Sequence, residues 1–424
     1  MGREERAAGA PGQWQVSVAG MAAVGVTFGF ARYGYGLFLP EFRRAFDLPV
    51  SLVGLIASAS YLGYVIALLS VGVLVTRLGP RPLVVIGGLS AAGGMGLVAC
   101  AGGPVTLTTG LVLAGTSPGW VWAPYSDAVD RVLAPHLRER AMGAIATGTA
   151  FAVTVAGPLA LVAQGPRWRH AWLAFTAAAL LATLYNARVL PGGARGAERN
   201  PPAPGHSPTH RPGLGRFTRA AAIPLYATAL SYGLVGAVYW AFAVEAVSEH
   251  AGAGSDIVAP LFWTLMGLSG TAGVLTGHAI SRYGLRRVHR GIFIGLGGAA
   301  GLLAVAGLPG MALPGAMLSA LLYGPCFMAG SGLLAVWSYR VFPDLPTPGF
   351  TATVLFLGLG TVTGPALLGA LAKHHGLPAV FTATALVAAL TTLIQPSRRG
   401  RAARPSPGPS SGRRRTNATT RSGS

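Results

Sequence analysis

Long apolar stretches, separated by short polar segments, make up most of this chain. Each stretch is continuously apolar, whereas a strand of a membrane barrel would alternate apolar and polar residues, so the pattern predicts membrane helices. A helix needs about 20 residues to cross a bilayer. We predict twelve spans, at residues 15–39, 51–75, 83–102, 105–128, 141–164, 170–190, 221–246, 257–280, 291–309, 312–337, 349–372 and 376–394.

A polar segment divides these spans into two groups of six. The segment is rich in Gly, Pro, Arg and His and has almost nothing to bury, which is typical of a flexible linker. The last residues lack apolar periodicity, so we expect a disordered tail. The predicted organisation is an N-terminal tail (1–14), a first six-helix bundle (15–190), a linker (191–220), a second six-helix bundle (221–395) and a C-terminal tail (396–424).

Three sequence features of the first half recur in the second half, each about 207 residues later. They pair segment 72–81 with segment 277–286, Arg131 with Arg340, and Gly157-Pro158 with Gly364-Pro365. Matches in one register within a very apolar chain indicate two related halves. Two membrane-embedded halves enclose a cavity between them, as in many carriers.

Composition and charge support a membrane protein with a defined orientation. Charged residues are only 10% of the chain, against about 25% in an ordinary soluble domain. The basic residues that give the net charge of +20 are concentrated on one side of the predicted membrane. With the N-terminus in the cytoplasm, nearly all of them lie in cytoplasmic segments. This asymmetry predicts that both termini are cytoplasmic. It also accounts for the charge without a nucleic-acid partner, and none is predicted.

The loop between spans two and three, Gly72-x-Leu74-x-x-Arg77-x-Gly79-x-Arg81, resembles the signature loop of the major facilitator superfamily. Its repeat between spans eight and nine and the central linker strengthen the resemblance. The resemblance implies an all-α integral membrane protein with the major facilitator fold, two pseudo-symmetric six-helix bundles. It also implies a monomer in a bacterial cell membrane that works as a transporter without a cofactor and is not an enzyme.

In that superfamily the signature loop acts as a latch that favours one access state. The residues predicted to gate here are Gly72, Arg77, Gly79, Arg81, Gly277, Arg282, Gly284 and Arg286. The acidic residue usual before the first arginine is absent, because Thr76 and Ser281 occupy those places. The latch is therefore expected to rely on backbone contacts and dipoles.

Two further positions depart from the drug-exporting members of the superfamily. Leu111 stands four residues before Gly115, where those exporters carry an arginine. Gly157-Pro158 matches only the core of their antiporter motif. Since Gly364-Pro365 repeats it, we interpret both pairs as hinges, because proline removes a helix hydrogen bond and glycine loosens the turn.

Arg32 is the clearest candidate for a binding residue. It lies inside the first span, and a charge at the bilayer centre costs at least about 2.5–3.5 kcal/mol. Its guanidinium could hold a carboxylate or a phosphate in a two-pronged hydrogen bond. Alternatively, its long stem could extend toward the membrane surface, or its head could bond to helix carbonyls.

Aromatic residues are concentrated on spans that line the cavity of major facilitators, namely the first, fourth, seventh and tenth. Aromatic faces with a polar edge suit a partly apolar organic molecule. With Arg32, the predicted substrate contacts are Tyr35, Trp120, Trp122, Tyr125, Tyr232, Tyr239 and Tyr323. We interpret Trp240 and Trp337 as members of the aromatic belt at the membrane surfaces.

Asp127 and Glu245 are candidates for proton coupling. The alternative is that each belongs to a fixed ion pair, and Asp127 lies four residues before Arg131 on one helix face. The sequence thus predicts a secondary active transporter of a small organic solute, with proton-coupled efflux of an organic anion or metabolite as the leading form. A lipophilic drug exporter and a solute sensor with the carrier fold remain alternatives. No metal site is predicted.

Overall fold

The structure is a computed structural model that describes residues 12–193, 219–251 and 255–396. Nearly all of the predicted linker and of the two predicted tails lies outside these residues. Within the described ranges every regular element is a helix. This confirms the all-α prediction.

The first half runs through eight helices and two short 3₁₀ segments. Ser117–Trp120 joins the fifth helix to the sixth, and Gly165–Arg167 lies between the seventh and the eighth. The helices are α1 (Gln13–Leu37), α2 (Leu39–Phe46), α3 (Val50–Leu78), α4 (Pro80–Ala99), α5 (Pro104–Thr116), α6 (Trp122–Val132), α7 (Pro135–Val162) and α8 (Trp168–Val189).

The described part of the second half continues this numbering, and a 3₁₀ segment, Thr271–Leu275, joins its second helix to its third. The helices are α9 (Ile223–Ala251), α10 (Ser255–Gly270), α11 (Thr276–Tyr283), α12 (Leu285–Ala304), α13 (Ala312–Val341) and α14 (Pro346–Thr391).

Each of the twelve predicted spans overlaps a helix, although the ninth extends past the end of α12 at Ala304. Eight helices in the described ranges are long and apolar enough to cross a membrane by length and composition alone. Three predicted spans do not reach that threshold: the fourth, which is divided by its 3₁₀ turn, the sixth, which is α8, and the ninth, which begins with the arginine-rich start of α12. Spans eleven and twelve form one run, α14, in which the chain turns at Gly376 with φ 73°, a conformation that favours glycine.

The helices end at two opposite faces. The signature-loop face carries the turns at Gly79 and Gly284, whose φ angles of 79° and 81° are nearly equal. The repeat is therefore visible in the backbone as well as in the sequence. The opposite face carries α2, the segment between α7 and α8, and Gly376; we call it the Arg43 face. The topology predicted from charge puts the Arg43 face outside the cell.

The two halves pack through α3 against α14 and through α7 against α10. Glycines allow these helices to approach closely: a Cβ at Gly54 would overlap the carbonyl oxygen of Pro365, and one at Gly157 would overlap the Thr264 side chain. Gly364 faces Leu234 within the second half, and Pro158 lies inside α7. The four predicted hinge residues thus lie in or beside tight helix contacts, and their hinge role stays a prediction.

Candidate functional site

Arg32 lies on a π-helical segment of α1, Gly25–Tyr33. The wider turn changes which side chains face a neighbouring helix, and such segments are frequent at functional sites. Glycine brings the segment against α7, because a Cβ at Gly29 would overlap the side chain of Ala152. Arg32 and Tyr33 are consequently held on a backbone that is tightly packed on one side.

Four aromatic rings surround the Arg32 guanidinium. Its central carbon is 4.0 Å from the ring centre of Tyr64, 4.7 Å from that of Tyr61, and 5.8 Å from those of Phe28 and Tyr33. A cation within about 6 Å of an aromatic face is stabilised by about 0.5–2 kcal/mol. We call these four rings the Arg32 cage.

The cage leaves hydrogen-bonding capacity unused. Arg32 is only 7% exposed, and its Nε and Nη1 groups are buried without an acceptor. No ion pair in the described part of the chain joins Arg32 to a carboxylate. Neither sequence-based alternative describes this arrangement, since the head is buried and these two groups bond to no carbonyl. A buried cation without a counter-ion favours an anionic ligand.

A narrow cavity opens beside Arg32 between α1, α3 and α5. Its lining includes Arg32, Tyr35, Ser60, Tyr61 and Leu111. The Tyr35 hydroxyl donates to the carbonyl oxygen of Val53 at 2.9 Å, so Tyr35 contributes mainly its ring. Leu111, the position of the exporter arginine, therefore faces the same cavity that receives the guanidinium from α1.

An aromatic cluster of the second half continues from the cage. Tyr323 and Phe327 contact the Trp240 ring, Tyr239 stacks on Tyr323, and Tyr232 stacks on Phe327. Tyr33 of the cage stacks on Trp240 with ring centres 4.1 Å apart. The predicted contacts Tyr232, Tyr239 and Tyr323 are thereby connected to Arg32 through Tyr33.

The interpretation of Trp240 and Trp337 as belt residues is wrong. Trp240 is 3% exposed and Trp337 is 2% exposed. Trp240 packs between the halves, and Trp337 packs edge-on to His289 with ring centres 5.6 Å apart. Trp337 lies near the end of α13, and Trp240 lies six residues before the end of its predicted span, but each side chain turns into the bundle.

The remaining predicted contacts, all on the fourth span, are divided between sites. Trp122 is half-buried and packs edge-to-face against Phe28 of the cage at 6.3 Å. Tyr125 is fully buried in a separate cluster and donates to the carbonyl oxygen of Val16 at 3.1 Å. Trp120 is half-buried beside Gly87. The structure thus brings Trp122 to the cage, and it places Tyr125 in a core cluster against which Trp122 and Phe28 also pack.

Both candidate proton carriers form ion pairs. The distance from Asp127 Oδ2 to Arg131 Nη2 is 2.6 Å, which confirms the predicted pair. Glu245 of α9 pairs with Arg43 of α2, across the two halves. Their role in proton coupling stays a prediction.

Residues of the two signature loops are largely exposed. No atom lies within 4 Å of a Cβ built on Gly72 or Gly277. Arg77, Arg81 and Arg282 are exposed, whereas Arg286 donates to the carbonyl oxygen of Pro396 at 2.9 and 2.6 Å. In this conformation the loops therefore leave room at Gly72 and Gly277.

Sequence reasoning missed Tyr33, Tyr61, Tyr64 and Trp240 as neighbours of the site. The spacing of Tyr61 and Tyr64, three residues apart, places them on one face of a helix. This spacing predicts that Tyr61 and Tyr64 share a face, but it does not indicate which helix packs against that face.

Comparisons with known proteins agree with this architecture. The family model described as Major Facilitator Superfamily matches residues 21–357. Monocarboxylate transporter 11 of Homo sapiens is 35% identical over 230 residues, which are 54% of this chain and 47% of that protein. The Mus musculus protein of the same name is 32% identical over 230 residues, 54% of this chain and 49% of that protein. The chain spans about half the length of these curated relatives.

Solved structures show the same fold at low identity. A bacterial homologue of the human lysosomal transporter Spinster, in an inward-facing and unoccupied conformation, has a TM-score of 0.71 at 14% identity, covering 90% of this chain and 96% of that one. The nucleoside transporter NupG has a TM-score of 0.68 at 14% identity, covering 90% and 97%. The family match extends over most of the chain, and its fold is that of multi-pass membrane transporters. The chain belongs to the major facilitator superfamily.

Proposed function

We propose that this protein is a secondary carrier of small organic carboxylates and that it binds the carboxylate at Arg32. The observation that carries the proposal is the buried guanidinium with two N–H groups that lack an acceptor. A carboxylate would supply both the missing charge and the missing acceptors. The monocarboxylate transporters among the relatives support the same chemistry.

Alternating access is the mechanism that we propose. Two side-chain hydrogen bonds join the halves in the described ranges, Arg43 to Glu245 and Gln164 to the carbonyl oxygen of Asp256, and both lie on the Arg43 face. The halves are therefore held together at that face. With the predicted topology, this conformation is closed to the outside.

A thermal-shift screen of the purified wild-type protein tests the substrate class. A ligand at 100 times its dissociation constant stabilises the folded state by about 2.7 kcal/mol. We expect short-chain carboxylates to raise the melting temperature, and lipophilic amines and nucleosides to leave it unchanged. Stabilisation by lipophilic compounds alone would favour a drug exporter instead.

Substitution of the loop glycines should separate binding from transport. Gly72→Leu and Gly277→Leu fit the present conformation, because both positions face open space. When the halves close at the signature-loop face, the added side chain would obstruct the approach. We expect transport to fall at least about tenfold, equivalent to about 1.4 kcal/mol on the barrier, with carboxylate affinity within about twofold of wild type. Equal loss of affinity and transport would show that the loops support the fold and do not gate it.

A further inference from the structure

A second buried donor lies near Arg32 and belongs to the other half. The indole N–H of Trp240 is buried without an acceptor. Its ring stacks on Tyr33 at 4.1 Å, and the Arg32 guanidinium carbon is 5.8 Å from the centre of the same Tyr33 ring. These two distances place the guanidinium within about 10 Å of the Trp240 ring. Both donors therefore lie beside the same Tyr33 ring.

The tyrosine hydroxyls of the aromatic cluster are already committed to protein acceptors. Tyr232 donates to the carbonyl oxygen of Phe327 at 2.5 Å, and Tyr323 donates to that of Gly236 at 3.1 Å. Tyr239 shares a hydrogen bond with the Ser319 hydroxyl at 2.6 Å. The hydroxyls of these tyrosines are thus paired, whereas Arg32 and Trp240 carry buried N–H groups without an acceptor.

We propose that Trp240 is a specificity-determining residue, whose indole N–H donates to an oxo group of the substrate while Arg32 holds its carboxylate. The preferred substrate class is then the oxo acids. This inference rests on the proposed function and adds a second contact to it. An acid without the oxo group leaves the indole N–H unpaired, and an amino group in its place has no lone pair to accept when protonated.

The expected selectivity follows from the cost of an unpaired buried donor. A neutral hydrogen bond contributes modestly to binding free energy, but a buried donor without an acceptor carries a larger cost. The dissociation constant of the oxo acid should therefore be about tenfold lower than that of the acid without the oxo group. Because Trp240 is on α9 and Arg32 is on α1, the oxo acid also connects the two halves. The selectivity should therefore depend on one donor from each half.

The test compares the binding of pyruvate and propionate, two acids that differ in the oxo group. Both are measured with wild type, Trp240→Phe and Trp263→Phe. Phenylalanine keeps a ring to stack on Tyr33 and removes only the N–H. Trp263 is the matched control, since its indole N–H is also buried without an acceptor and its ring is 5.2 Å from that of Trp240. Dissociation constants are measured by calorimetry on the full-length protein in detergent.

We expect wild type and Trp263→Phe to prefer pyruvate about tenfold. Trp240→Phe should bind both acids alike, with its affinity for propionate unchanged. A preserved pyruvate preference in Trp240→Phe would refute the assignment, as would equal weakening of both acids, which would show a structural role. If wild type binds both acids equally, Trp240 is not a recognition residue although the proposed function stands. If wild type binds neither acid, the proposed function itself fails.

Discussion

Replacing Arg32 with glutamine should abolish carboxylate binding without unfolding the protein. Glutamine retains a polar side chain but loses the charge and the two-pronged donor geometry. Removing one member of a buried charged hydrogen bond costs about 2–5 kcal/mol, so the dissociation constant should rise at least about 30-fold. The measurement is carboxylate affinity by calorimetry and by thermal shift.

Stability without ligand separates this loss from a folding defect. The wild-type guanidinium is buried without a counter-ion, and the surrounding rings offset the cost of that burial only in part through cation–π contacts. The Arg32→Gln variant should therefore melt at the wild-type temperature or above it. Arg169→Gln is the matched control, because Arg169 also lies over an aromatic ring but donates to the carbonyl oxygen of Ala101. Wild-type affinity in the Arg32 variant would remove Arg32 from the site.

Replacing Arg43 with glutamine should open the Arg43 face. The substitution leaves Glu245, whose side chain is 9% exposed, without its partner. Because Arg43 is partly exposed, at 27%, we discount the cost of breaking a fully buried pair to about 1–2 kcal/mol. The ratio of open to closed molecules should rise about 5- to 30-fold.

Spin labels on the Arg43 face report this change as a distance distribution. Native Cys100, which is exposed, and a cysteine in place of Leu308, which is 57% exposed, lie on opposite halves at that face. Cys326 is replaced by alanine. Arg44→Gln is the control. This substitution removes the same charge from α2, but Arg44 pairs with Glu41 of its own half. A longer distance should become populated in Arg43→Gln alone. The same distribution in both variants would show that the ion pair does not hold the face closed.

Features set by local sequence were predictable. Continuous apolar runs place the helices, and the repeated loop glycines predict equivalent turns, which Gly79 and Gly284 adopt. The Asp127–Arg131 pair follows from a spacing of four on one helix. Each of these features depends on residues close together in the chain, where helix geometry alone fixes which side chains meet.

Contacts between distant segments were not predictable in the same way. Arg43 and Glu245 are 202 residues apart, and the pairing depends on how the halves pack. The position of Trp240 near a span end is equally consistent with a membrane-surface residue, and its burial is decided by the stack on Tyr33. The π-helical segment around Arg32 has no sequence signal that we identified, although it changes which neighbours the guanidinium meets.

Counterflow in proteoliposomes is the most direct test of carboxylate carriage. Vesicles containing the wild-type protein are loaded with unlabelled pyruvate and diluted into a trace of labelled pyruvate, so that label accumulates only if a carrier exchanges it. We predict that label accumulates transiently in wild-type vesicles and does not accumulate in Arg32→Gln vesicles. External propionate should inhibit the accumulation, whereas nucleosides and lipophilic amines should leave it unchanged. Wild-type vesicles without accumulation, or Arg32→Gln vesicles that accumulate label as wild type does, would contradict carboxylate transport at Arg32.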